Sequence, residues 1–238
     1  MSSISQGDAR RLSVLVIALL WLWQASVIFF PHERGFNWLT MNVGMTENFP
    51  LAALITTIKG ALMVAGALWL LRLTGEGFRD LGFTRDGLSK QLLTGAGFGL
   101  GIFVLNSAVL LPLLEKLTGQ HSESNRVMFS SITNLAILFV LSIVKGGFME
   151  EFERIFVITR FEKLFGFAGL VLALAVSTIL FGFGHAYQGT SAIVGTAVIG
   201  FLNALVYLRK RRALEAVAAH AVFDLLGCLF GAILYYGK

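Results

Sequence analysis

Seven stretches of this 238-residue sequence are apolar for long enough to cross a bilayer, and that pattern limits the fold more than any other feature. About 30 Å of hydrocarbon takes about 20 helical residues at 1.5 Å each. The stretches lie roughly at 12–30, 50–71, 92–114, 131–158, 167–186, 190–208 and 213–236. Only 14% of residues are charged and 56% are hydrophobic, against about 25% and 45–50% in an ordinary soluble domain. The expected fold is an all-α polytopic transmembrane helix bundle of about seven spans. It forms one integral membrane domain over 1–238, and an eighth, re-entrant or interfacial helix would fall at 32–48.

The net charge of +5 does not point to nucleic acid, because the basic residues sit mainly between the apolar runs. There they set topology. With the N-terminus in the cytoplasm, the inner segments carry Arg10, Arg11, Arg72, Arg79, Arg85, Lys90, Arg160, Lys163 and the run 209–212. The outer segments carry only Arg34, Lys116, Arg126 and Lys238. The first apolar run ends at Pro31 without a small-x-small cleavage site, so it reads as a retained span. Cys228 is the single cysteine and forms no intramolecular disulfide or thiolate cluster; it reads as a small buried hydrophobe. Gly95/Gly99 and Gly97/Gly101 are offset GxxxG pairs that suit close helix packing within one bundle.

Against this apolar background the stretch 145–162 is anomalous. It places Glu150, Glu151, Glu153 and Arg154 inside a span. A charge at the centre of a membrane helix costs about 2.5–3.5 kcal/mol on insertion scales, so these groups must face protein or a wet cavity. Glu150 and Arg154 are four apart, which puts them on one α-helical face as an ion pair. Two adjacent carboxylates and one arginine leave a carboxylate incompletely compensated, and such a group is a natural general base. In a purely structural role the same residues form a salt-bridge knot. His185 follows two glycines at the end of Phe181-Gly-Phe-Gly-His185. His220 and Asp224 are four apart on the last span, where the carboxylate can orient or charge the ring. Lys59 and Lys145 read as snorkelling or carboxylate-paired lysines. Counting residues from the span ends puts Glu150, His185 and His220 at depths spread over roughly 10 Å.

Three motifs stand in order here: Glu150-Glu151-Phe-Glu-Arg154, Phe181-Gly-Phe-Gly-His185 and His220-Ala-Val-Phe-Asp224. Together they resemble the CAAX protease and bacteriocin-processing (Abi) family of intramembrane proteases. The motif-bearing core is 131–236. One detail departs from the family pattern: two residues, not three, separate the glutamate pair from Arg154. The resemblance implies an intramembrane endopeptidase acting on a membrane-tethered protein or peptide. By that likeness Glu150 or Glu151 with His185 activates water, while His220 and Asp224 stabilise the oxyanion and Arg154 holds the glutamates. It leaves the chemistry open between metal and glutamate types. Glu150, Glu151, His185 and His220 would be the ligands if a divalent metal such as zinc is used. The implied surroundings are membrane lipid, in a bacterial cytoplasmic membrane with the N-terminus inside, and no nucleic acid. Two rivals remain: a non-proteolytic immunity or scaffold protein of the same fold, and a glutamate/histidine proton-coupled transporter.

Overall fold

The computed structural model describes residues 5–29, 48–119 and 126–237. Every long element among them is helical, and no strand is present among the described residues. In hydrocarbon each backbone N–H and C=O must be paired inside its own segment, which leaves helix as the outcome for isolated apolar runs. The helices are α1 (Gln6–Phe29), α2 (Phe49–Leu73), α3 (Leu88–Thr118), α4 (Ile132–Phe183), α5 (Thr190–Lys210) and α6 (Ala213–Tyr236). By length and hydropathy, α2 to α6 are five candidate membrane spans among the described residues, so the expected count of seven is not confirmed. The difference lies partly in α4, whose 52 residues count as one stretch although the sequence reads them as two spans. The helix proposed at 32–48 falls almost wholly outside the described residues, as do His32 and His121.

α4 turns back on itself at Gly166, where φ is 62° and ψ is −144°. A side chain is strained at this positive φ, so glycine is the residue that fits the turn. The consequence is visible in one contact. Arg154 and Phe181 would be about 40 Å apart on a straight helix, yet the Arg154 guanidinium sits 4.5 Å from the Phe181 ring centroid. α4 is therefore a helical hairpin, with a first arm at 132–165 and a second at 167–183.

The first arm is the centre of the bundle. Phe152, Ile155, Phe156, Ile158 and Phe161 are all buried, packed on Ile17 of α1, Leu70 and Leu71 of α2 and Ala216 and Ala219 of α6. A helix enclosed on most sides is apolar all round, and that makes its charged residues conspicuous. The outer surface has the opposite character for a protein in water. Leu22, Leu62, Leu93, Leu117 and Ile132 are each well over half exposed. Such a surface suits lipid tails, and the chain is an integral membrane protein.

α3 and α6 lie close because Gly95 and Gly99 have no side chain. A methyl on either would strike the Glu215 or Ala219 carbonyl of α6. The offset pair Gly97 and Gly101 faces no neighbouring atom within 4 Å among the described residues. The expected packing role thus falls to one of the two GxxxG pairs.

Candidate active site

The site is built around a change of helix type. α4 begins as an α-helix, widens into a π-helix over Ser142–Glu150, and returns to α at Glu151. A π-helix bonds i to i+5, so its residues share faces at spacings that an α-helix separates. Lys145 and Glu150, five apart, form an ion pair across this widened turn. Glu151 opens the α-helical part, and it pairs with Arg154 at i+3. The expected Glu150–Arg154 pair is not made. Glu150 is held instead by Lys145 across the widened turn, and Arg154 turns to Glu151.

α6 completes the cluster. His220 Nδ1 lies 2.7 Å from Glu151 Oε1 in a fully buried contact. A carboxylate only accepts, so Nδ1–H donates and Nε2 is left for another partner. That Nε2 is 3.8 Å from Glu150 Oε2 and 3.6 Å from Asp224 Oδ2. Glu151 is fully buried, whereas the Glu150 side chain keeps 19% of its surface exposed and Asp224 28%. The second oxygen of Glu151, Oε2, has no hydrogen-bond partner among the described residues. Gly146, inside the π segment, lets the helices meet here: a methyl there would collide with Asp224 Oδ2 and reach contact distance of His220 Nε2.

The second arm of α4 and the helix α5 close the other side. The Phe181 ring packs edge-on against both His185, at 5.1 Å between centroids, and His220, at 5.8 Å. Its face receives the Arg154 guanidinium. Gly200 on α5 leaves the room that this stack needs, since a methyl there would strike Phe181. His185 sits just beyond the end of α4. Its Nδ1 is 3.0 Å from the Phe181 carbonyl, one of the last helix carbonyls that lack an internal donor. A carbonyl only accepts, so Nδ1–H donates and Nε2 carries the ring's remaining lone pair. Glu150 and His220 lie within electrostatic range of this ring.

The structure thus joins Glu150, Glu151, Arg154, His220 and Asp224 directly and brings His185 alongside through Phe181. The expected spread in depth is not seen. Glu162 and Arg211 form a two-bond ion pair, at 2.7 and 2.6 Å, that sets a common level for α4 and α6. Glu151 lies eleven residues before Glu162 and His220 nine after Arg211. At 1.5 Å per residue the offset is only about 3 Å. Of the two readings of Lys145, snorkelling or carboxylate pairing, the structure has the pairing, with Glu150. Its signal was the Lys-Gly-Gly run before the glutamates, which is legible only once the helix is known to widen there. Lys59 and Glu153 go elsewhere: they line an apolar cavity of about 620 Å³ between α1, α2 and α4.

Three carboxylates and two permanent cations meet here, and buried charges of this kind must balance. A proton on His220 makes the group neutral. A zinc or similar ion would need three or more side chains aimed at one point. No such group of His, Cys, Asp or Glu exists among the described residues. Lys145 holds Glu150, while Arg154 and His220 both occupy Glu151 Oε1. In this arrangement Glu150, Glu151, His185 and His220 do not fit a metal, and the chemistry below uses none.

Residues 132–226 match the family described as type II CAAX prenyl endopeptidase, Rce1-like. All three motifs lie inside the matched segment, in agreement with their resemblance to the CAAX protease family. Neither the curated proteins nor the solved structures gave a match.

Proposed function

We propose that this membrane protein, a CAAX-protease relative through residues 132–226, is an intramembrane endopeptidase that hydrolyses a peptide bond in a membrane-associated protein or peptide. One observation carries the assignment of roles. Glu151 holds His220 by Nδ1, which turns Nε2 toward the space between Glu150 and Asp224.

In this reading Glu150 is the general base. It is the more accessible glutamate, and Lys145 fixes it in place. Glu150 takes a proton from a water molecule, and the water oxygen bonds to the scissile carbonyl carbon. His185 Nε2 accepts the second hydrogen bond of that water. His220, doubly protonated, donates Nε2–H to the developing oxyanion, and such preorganised donors are worth several kcal/mol in a dry site. Collapse of the intermediate breaks the C–N bond, and Glu150 passes its proton to the leaving amine. Glu151 and Arg154 are positioning residues: they set the His220 ring and do not touch substrate. Asp224 keeps the imidazolium charged and supports its orientation.

The substrate class follows from the family's description, a prenylated CAAX end or a similarly tethered peptide. The positive-inside pattern supports a cytoplasmic N-terminus, and the composition suits a bacterial cytoplasmic membrane. The test is cleavage of a prenylated CAAX peptide by the purified full-length chain in vesicles. Wild type is expected to release the terminal fragment, and Glu150→Gln and His220→Ala to release none while remaining folded.

A further inference from the structure

At the end of the bundle opposite Ser131 and Asn48, three cations converge on a single carboxylate. Glu76, in the turn after α2, accepts hydrogen bonds from Arg160 and from Lys163, the latter at 2.5 Å. Arg10 of α1 stands 4.0 Å away on the same carboxylate. Arg160 is 1% exposed. Its Nε and Nη2, and the Nε of Arg10, have no hydrogen-bond partner among the described residues. Three cations and one anion leave two positive charges uncompensated.

The nearby carboxylates do not make up the difference. Asp8 serves Ser5 and Arg11. Asp80 accepts from the Gly77 amide, and Glu162 is engaged by Arg211. A buried guanidinium with unused donors is costly unless an anion supplies acceptors. Arginine forks match the oxygens of a phosphate, and lysine adds a point charge beside them. The cluster has graded access as well: Lys163 is about one-third exposed and Arg10 slightly more, outside the buried Arg160. It also lies at the end that the basic-residue pattern places in the cytoplasmic headgroup layer.

We infer that Arg10, Arg160 and Lys163, gathered by Glu76, form a phosphate-binding site. Its ligand is the phosphate of an anionic lipid headgroup or free phosphate. The site is separate from the glutamate–histidine cluster and does not depend on the proteolytic reading.

Native mass spectrometry of the full-length protein, taken from nanodiscs of phosphatidylcholine with or without phosphatidylglycerol, tests the lipid source. Thermal unfolding in detergent with inorganic phosphate, against chloride at matched ionic strength, tests the free ion. The control is Arg10→Gln/Lys163→Gln, whose side chains are partly exposed, so the fold is retained; Arg160→Gln reports on the buried member. Retention of phosphatidylglycerol by wild type, reduced roughly tenfold or more in the double variant, establishes the headgroup site. A phosphate-specific rise in Tm that the double variant lacks establishes the free-ion site. If neither ligand distinguishes wild type from the double variant, the inference is overturned.

Discussion

His220 Nδ1 and Glu151 Oε1 lie 2.7 Å apart, although 69 residues separate them in the chain. This bond joins the centre of α4 to α6 and decides which histidine nitrogen faces the open part of the site. It also divides the two adjacent glutamates. Glu151 is enclosed and shared between His220 and Arg154, while Glu150 keeps an accessible edge.

That division predicts two different failures. Glu150→Gln is expected to abolish cleavage with little change in thermal stability. Glu151→Gln is expected to lower both, because it leaves the buried Arg154 uncompensated, at a cost of about 3–5 kcal/mol. Unfolding temperature and cleavage rate, measured on the same samples, check the split. A stable, inactive Glu151→Gln beside an active Glu150→Gln would reverse the two roles.

Lys145 is the cation that holds Glu150. Lys145→Met is expected to reduce kcat by about ten- to a hundredfold, the worth of a hydrogen bond between charged groups. Lys145→Arg is expected to recover part of the loss. The comparison requires circular dichroism to show equal helix content in both variants.

Gly146 sets the distance between α4 and α6 at the site. Gly146→Ala is expected to destabilise the fold by about 1–3 kcal/mol, the usual cost of overpacking, and to reduce cleavage. The new methyl pushes Asp224 away from His220. Gly97→Ala, where no atom lies within 4 Å, is the control and should behave as wild type. Thermal unfolding in one detergent measures both.

Much of this site was readable in the sequence, because charges in apolar spans have few innocent explanations. Glu150, Glu151, Arg154, His220 and Asp224 were all found that way, and they do meet. What was not readable was the angular bookkeeping. α-Helical spacing allows Glu150 to pair with Arg154, but Lys145, reaching across the π-helical turn at Ser142–Glu150, takes Glu150 instead. The same widened turn hid which carboxylate Lys145 pairs with, since a spacing of five carries no α-helical meaning. The fold class followed from hydropathy alone, but the common level of Glu151 and His220 depended on the long-range Glu162–Arg211 pair.

A pH effect is expected at the other end of the bundle. Burial pushes the Glu76 carboxyl up, but hydrogen bonds from Lys163 and Arg160 outweigh it and hold the group below its usual 4.5. A depressed carboxylate stabilises the fold above its unfolded pKa, and the benefit is lost as pH falls through the folded value. The Tm difference between wild type and Glu76→Gln should be full near neutrality and shrink below about pH 4.5. A difference that grows on acidification contradicts this.

The committed state of the glutamates predicts metal-independent catalysis. Cleavage should persist after dialysis against EDTA and 1,10-phenanthroline, and added zinc should not raise it. Loss on chelation, restored by stoichiometric zinc, would mean that Glu150, Glu151, His185 and His220 rearrange into a ligand set.

The most direct test of the central claim is hydrolysis itself, with water as the nucleophile. The purified chain in vesicles is given a prenylated CAAX peptide in ¹⁸O-water, and the products are weighed by mass spectrometry. The account predicts a shortened peptide with one ¹⁸O in its new carboxylate from wild type, and none from Glu150→Gln. Equal product from both proteins, or no cleavage by a folded wild type, would contradict it.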